Sequence, residues 1–228
     1  MEKRSLLLGT YDTAAHGLWT LTSWKLTKAS QVQTFVSVPG RVAPLDLSTY
    51  LTDGQPYYDN AQLDAILESS EGNRLERKAR IDLMVNYLDG QTVKIYLPDD
   101  QSRYLVGRVQ VFQEYNDLAH CAVRVRAVCD PWLYAAAETV VRLTATATEQ
   151  TAQLLNYGRL AVVPTVETTG EVRIGYGASS WALPAGEHTL PELYLTPGQD
   201  FGLPGVHSIT YSGSGSIAIT YREAVLAV

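Results

Sequence analysis

Apolar and polar positions alternate with a two-residue period along most of this chain, and with a helical period in only one stretch. Trp19, Leu21, Trp24 and Leu26 alternate with polar residues, with a break at Ser23, and Val32 to Val38 alternates until Pro39-Gly40 turns the chain. Ala61, Leu63, Ala65 and Leu67 alternate with Gln62, Asp64 and Ile66, predicting a half-buried strand. Leu75, Ala79, Ile81, Met84, Val85 and Leu88 recur at helical spacing, predicting a helix over about 73–88. Asn73 with Glu76 three residues on forms a capping box, and Asp89-Gly90 supplies the stop. Strands follow near Val93–Leu97, Tyr104–Phe112 and Leu118–Val128, with turns at Asp99-Asp100 and Asn116-Asp117.

The pattern changes after Asp130-Pro131-Trp132. From there nearly every segment reads as strand or turn: 139–147, 160–167, 171–176, 188–195, 208–211 and 216–221. Gly or Pro separates them, as at Gly158, Gly170, Gly177, Pro197-Gly198 and Pro204-Gly205. Short strands at about 8–12-residue spacing predict a β-sandwich or jelly roll. The fold expected is therefore mainly β with one helix in the N-terminal domain. Two domains are expected, 1–132 and 133–228, the second a β-sandwich. Trp132, directly after Asp-Pro at the end of an apolar strand, is expected to be substantially buried at their junction.

Composition fits a folded globular chain, with 46% hydrophobic and 18% charged residues. A formal charge of −6 argues against specific nucleic-acid binding, which needs Lys and Arg to displace counterions from phosphates. Lys3-Arg4 leads into only Ser5-Leu6-Leu7-Leu8, short of the roughly 7–15 apolar residues of a secretory signal. No run approaches the roughly 18 apolar residues of a membrane span, so no membrane insertion is expected. The chain is expected to be made and kept in the cytoplasm until something else exports or releases it.

Candidate chemistry is sparse. Cys121 and Cys129 sit in one apparent strand, roughly 26 Å apart at about 3.3 Å per residue, so they read as buried free thiols. The four histidines, His16, His120, His188 and His207, lack ligand spacing with either cysteine, so no metal is expected. His120 beside Cys121 points to the opposite strand face and cannot serve it as a base. Asp99-Asp100 shares one exposed turn, whereas an acid and a base need different environments. Gly213-Ser214-Gly215-Ser216 has no following lysine and reads as a hairpin turn between strands. No Gly-x-Ser-x-Gly, His-Glu-x-x-His or Cys-x-x-Cys motif is present. No catalytic residue and no cofactor is assigned.

Three segments stand out by their order. The first, 38–60, reads VPGRVAPLDLSTYLTDGQPYYDN: a Pro39-Gly40-Arg41 turn, a Leu45-Asp46-Leu47 strand, a turn at Asp53-Gly54 and a Tyr57-Tyr58 pair. The second is Gly107-Arg108-Val109 within a Tyr- and Val-rich strand. The third is Cys129-Asp130-Pro131-Trp132, followed by Tyr134. Together they resemble the signature of the distal tail proteins of siphophages, which form a ring between the tail tube and the host-adhesion device. The chain departs from the family pattern in two places. Arg41 is followed by Val42-Ala43-Pro44 rather than Asp-Gly, and Asn60 by Ala61 rather than arginine.

The resemblance implies a structural, non-enzymatic virion protein of the tail tip that forms a homo-hexameric ring and passes DNA during ejection. Its implied partners are the tail tube protein, a tail-associated hub or lysin protein, and receptor-binding proteins at the periphery. Asn156-Tyr157-Gly158, Leu193-Tyr194-Leu195 and Ile209-Thr210-Tyr211 resemble the family's C-terminal galectin-like module. That module raises a second reading, a soluble lectin-like binding domain with Tyr176, Trp181 and Tyr194 as stacking platforms. Single aromatics on strands are more often core than platform, and fold alone does not carry function. For a hexamer, the surface facing the axis is expected to be acidic or neutral, so that a duplex slides rather than binds.

Overall fold

The computed structural model describes residues 5–50, 56–200 and 202–227. Lys3-Arg4 and the Asp53-Gly54 turn lie outside the described residues. The chain divides into two compact units. The first runs to Leu133 and also takes in Leu226 and Ala227, and the second is Tyr134–Val225. The return of the last residues is anchored by packing: Ala227 is buried in the first core, and its N–H donates to Pro131 O at 2.8 Å.

The first unit holds, in chain order, β1 (Leu7–Leu8), β2 (Tyr11–Asp12), α1 (Thr13–Gly17), β3 (Thr20–Thr27), β4 (Phe35–Val36), β5 (Leu45–Asp46), β6 (Ala61–Ser69), α2 (Arg74–Leu88), β7 (Thr92–Leu97), β8 (Asp100–Asn116) and β9 (Cys121–Cys129). Its main sheet runs β2-β1-β7-β8-β9-β6-β3, each neighbouring pair antiparallel. In β6 the period-two pattern is realised residue by residue: Ala61, Leu63, Ala65 and Leu67 are buried while Gln62, Asp64, Ile66 and Glu68 face out. The break at Ser23 is a bulge, since the β3–β6 register shifts between Leu21 and Ser23.

Helix α2 starts where its capping box predicts. The Asn73 side chain accepts from Leu75 N and Glu76 N, and Glu76 reaches back to Asn73 N at 3.0 Å. Its facing differs from the sequence expectation. Ile81, Met84 and Leu88 are buried, but Leu75 is 79% exposed and Arg77 takes the inner place. The guanidinium compensates for its burial by donating to Gly72 O (2.5 Å), Asp117 O (2.9 Å) and Leu118 O (3.0 Å), which ties the helix start to the β8–β9 turn. A second, short helix, α1, lies outside the single one expected. Asp12 caps it, accepting from Ala14 N and Ala15 N.

β10 (Trp132–Ala135) leads onward. Then come β11 (Thr139–Ala145), β12 (Gln150–Asn156), β13 (Thr165–Thr168), β14 (Val172–Tyr176), β15 (Ser179–Leu183), β16 (Gly186–Thr189), β17 (Gly205–Gly213), β18 (Gly215–Tyr221) and β19 (Ala224–Leu226). Two four-stranded sheets, β11-β18-β13-β16 and β12-β17-β14-β15, make a β-sandwich. Leu154, Ile174, Ile209 and Tyr211 from one sheet meet Val166, Ile217, Ile219 and Tyr221 from the other in a single core. The protein is mainly β.

Three expectations in this unit need correction. The Gly213-to-Ser216 turn joins β17 of one sheet to β18 of the other, so it is an arch between layers and not a hairpin. Gly213 and Gly215 adopt φ of 129° and 108°, which makes the sharp crossing available. The stretch 160–167 is strand only from Thr165, its earlier part contributing one isolated bridge, Val162 to Leu195. The expected strand 188–195 is in fact Gly186–Thr189 followed by turn.

Candidate functional site

The first signature segment forms an exposed arm. Pro39-Gly40 is a turn in which Arg41 N donates to Val38 O at 3.1 Å and Gly40 takes φ 85°. Proline before a positive-φ glycine is the type II arrangement. Beyond the turn, β4 and β5 pair as a two-stranded ladder, Phe35 opposite Asp46 and Val36 opposite Leu45. Leu47 N continues it by donating to Thr34 O at 2.8 Å. Asp46 braces the return strand: its Oδ1 accepts from Ser48 N (2.9 Å) and Ser48 Oγ (2.5 Å), while Ser48 Oγ also accepts from Thr34 N (2.8 Å). The Ser48 hydroxyl, then its N–H, holds the Asp46 carboxyl below its ordinary range. At the base, Gln31 bridges Tyr58, and Val32 N donates to Tyr57 O at 2.9 Å.

What the arm lacks is a cover. Every residue from 30 to 44 is exposed, among them Phe35 (56%), Val36, Val38 and a fully exposed Val42. The alternation of Val32 to Val38 therefore belongs to neither core, and only Phe35–Val36 of it is strand. A hairpin of two strands is marginal in water, and contiguous exposed apolar surface marks an interaction site. Tyr57, beside the base, is exposed as well.

The second and third segments are brought together, away from the arm's tip. Gly107 on β8 lies directly opposite Cys129 on β9. A Cβ at Gly107 would sit 2.5 Å from Cys129 Sγ and 3.1 Å from Val128 O, so only glycine fits. Arg108 faces out, opposite Val128. Asp130 N continues the ladder to Val106 O at 2.8 Å, and Pro131, with no N–H to donate, interrupts it. Trp132 is half-buried, less than expected, with its ring edge-to-face on Tyr58 at 5.7 Å and 78°. Through that contact the base of the arm meets the end of the third segment.

Nothing at this seam is chemically armed. Burial, reinforced by the Asp130 charge, pushes the Cys129 thiol up to about 12, so it stays protonated and non-nucleophilic. Burial likewise raises the Cys121 thiol, and both thiols are free. Among the described residues no group of His, Cys, Asp and Glu could hold a metal ion, and no helix is long and apolar enough to cross a membrane. Of the aromatics suggested as sugar platforms, Tyr176 and Trp181 pack against the sandwich core. Tyr176 Oη bonds His207 Nδ1 at 2.8 Å, and only Tyr194 stands well exposed.

The open face of the main sheet is a charged lattice that sequence reasoning missed. Cross-strand registers place Lys25, Asp64, Arg126 and Gln110 in one row, and Ile66, Arg124 and Phe112 in the next. A bulge between Gln113 and Tyr115 inserts Glu114, which lies beside Arg124. The signal was in the alternate positions of β6, β8 and β9. Reading it required the register, which the sequence alone did not supply.

No family model matches the chain, and no curated protein matches it. Among solved structures, the crystal structure of SPP1 Dit (gp 19.1) superposes with a TM-score of 0.66, covering 96% of this chain and 98% of that one. The chain has the Dit fold. Identity with SPP1 Dit is 14%, so what the two share is the fold, over both units. SPP1 Dit is described as a paradigm of the hub adsorption apparatus in phages infecting Gram-positive bacteria. The Dit fold is the one that the three ordered motifs imply.

Proposed function

We propose that this chain is a structural, non-enzymatic component of a phage tail tip. It forms a hexameric ring that joins the tail tube to the host-adhesion device and passes DNA during ejection. Its neighbours in that reading are the tail tube protein, a tail-associated hub or lysin protein and peripheral receptor-binding proteins. Pro39, Gly40, Arg41, Leu45, Asp46, Leu47 and Tyr57 shape the assembly arm, while Gly107, Arg108, Cys129, Asp130, Pro131 and Trp132 frame its support.

The observation that carries the reading is the uncovered apolar arm on a Dit fold. A ring closes by heterologous contacts, in which one surface of each copy meets a different surface of the next. An arm whose apolar residues face no core of its own chain suits that geometry. Against the lectin-like alternative, two of its three candidate aromatics are committed to the sandwich core.

Negative-stain electron microscopy of the purified chain tests this directly. Annular particles with a central opening are expected. Single small particles at every concentration, together with measurable glycan affinity, would favour the lectin-like alternative.

A further inference from the structure

We propose that the groove between the start of α2 and the end of β8 is the socket for the arm of a second copy of this chain. Phe35 of one copy sits on Leu75 of the next, and the Asp46 carboxylate lies beside Arg74 and Lys78. The assignment rests on the ring reading and names the two unlike surfaces that close it.

The socket arises from a local misfit on α2. Helical spacing puts Leu75 inward, but the Arg77 guanidinium fills that side and is held by three carbonyls. Residues two apart on a helix lie roughly 200° around its axis, so burying Arg77 turns Leu75 out. Leu75 is 79% exposed. It forms the apolar floor of a shallow groove lined also by Arg74, Lys78, Gln113 and Asn116, with no carboxylate among them. Arg74 has no ion pair among the described residues, and Lys78 pairs with Asp82 one turn on. Glu76 is engaged by Asn73 N. Along α2, Arg74, Arg77, Lys78 and Arg80 outnumber those two carboxylates, which makes the helix cationic in a chain of net charge −6.

The plug is set by register. Directly opposed residues point to the same face of a ladder, so Phe35 and Asp46 share one face of the arm and Val36 and Leu45 the other. Ser48 occupies only Oδ1 of Asp46, which leaves Oδ2 without a partner among the described residues. Between Ser30 and Tyr50 the charged residues are Asp46 and Arg41, and Arg41 sits in the turn. One face of the arm therefore presents an aromatic ring next to an anion, and the other is apolar.

Plug and socket match in spacing and in sign. Phe35 and Asp46, as opposed residues, have Cβ atoms about 4.5–5.5 Å apart. Leu75 and Lys78, three apart on a helix, are about 5–6 Å apart. A ring laid on Leu75 thus brings the carboxylate to the ammonium, with the Arg74 guanidinium on its flank. The trough on the open face of the main sheet is a poorer receptor for an anion, because it already holds Asp64 beside Arg126. Phe35 and Leu75 are both exposed in the single chain, so the arm does not fill its own groove. Repeated from copy to copy, a contact between two unlike surfaces is the heterologous kind that closes a ring.

The test is charge exchange, read as solution mass against concentration by light scattering. Asp46→Lys and Arg74→Glu/Lys78→Glu should each raise the concentration of half-dissociation at least about tenfold. Mixing the two variants should restore assembly, because every arm then meets a groove of opposite charge. Asp46→Asn keeps the acceptor for Ser48 and should weaken assembly without changing the melting curve. Independently, Phe35→Cys/Leu75→Cys should give an interchain ladder of up to about six chains on mild oxidation, absent from either single variant. Cys121 and Cys129 are buried and should stay silent. A groove variant that assembles as wild type does would overturn the proposal. So would variants that melt like wild type yet stay dissociated when mixed, an Asp46→Asn variant of unchanged assembly, or a double-cysteine variant with no ladder. Any of these beside a wild-type ring removes this contact alone, whereas a wild type monomeric at every concentration removes the ring and the contact together.

Discussion

The arm and the Gly107–Cys129 seam belong to the same sequence signature, yet they lie at opposite extremes of burial. At the seam, each residue is explained by its neighbours in this chain: no Cβ fits at position 107, and Cys129 is 1% exposed. In the arm, Asp46, Ser48 and the Pro39-Gly40 turn build a defined hairpin whose apolar side chains Phe35, Val36, Val38 and Val42 stay exposed and belong to neither core. Internal packing accounts for the first and not for the second. The contrast separates residues that specify the fold from residues that serve contact with another molecule, even where both look equally regular in sequence.

That contrast can be broken by substitution. The largest effect belongs to the buried frame: Trp19→Ala, at a fully buried position, is expected to cost about 3–5 kcal/mol in chemical denaturation. Next comes Gly107→Ala, expected to destabilise by about 1–3 kcal/mol through overpacking against Cys129. Adding Cys129→Ala should recover part of that loss, because Sγ is the nearest obstacle while Val128 O remains. A Gly107→Ala variant as stable as wild type would show that the seam yields more readily than its geometry implies. Asn73→Ala removes the helix cap and should cost about 1 kcal/mol.

The seam also makes a pH prediction. Cys129 is held neutral in the fold up to about pH 12, whereas an unfolded thiol ionises near pH 8.5. Between those values the folded state keeps a proton that the unfolded state has lost, so stability falls as pH rises. Its contribution is fully present below about pH 8.5. Thermal melts of wild type and Cys129→Ala should therefore converge as pH is raised through this window. Parallel profiles would exclude the thiol as their cause. Native protein at neutral pH should also resist thiol labelling, and the urea-unfolded chain should not.

Much of the first unit was legible because local and global signals agree there. The Asn73–Glu76 box marked the α2 start, β6 and β9 carried clean alternation, and the interruption at Ser23 was a real bulge. Legibility failed where a polar residue occupies a core position. Arg77 is buried because three carbonyls receive it, and no periodicity rule anticipates that. β12 was missed for a similar reason. Its inward positions end on Asn156, whose buried side chain bonds Leu160 O, Leu195 O and Gly158 N across distant parts of the chain. The Gly-Ser-Gly-Ser arch was misread because local turn chemistry does not say which sheet the next strand joins. The arm failed differently: Val32 to Val38 alternates as a core strand does, and only the structure reveals that its apolar residues are exposed and join neither core.

The smallest expected effect on stability is therefore the most informative about function. Phe35→Ser with Val38→Ser alters exposed arm residues and should shift unfolding by less than about 0.5 kcal/mol. Solution mass should respond far more. By size-exclusion chromatography with light scattering, the wild-type chain of 25.0 kDa is expected to elute as a closed assembly of about six copies, a stoichiometry that follows the cyclic-ring reading. The arm variant is expected to elute as a monomer with an unchanged unfolding curve. A wild type that is monomeric at every concentration, or an arm variant that assembles as wild type does, would contradict the assignment of the arm as the assembly element.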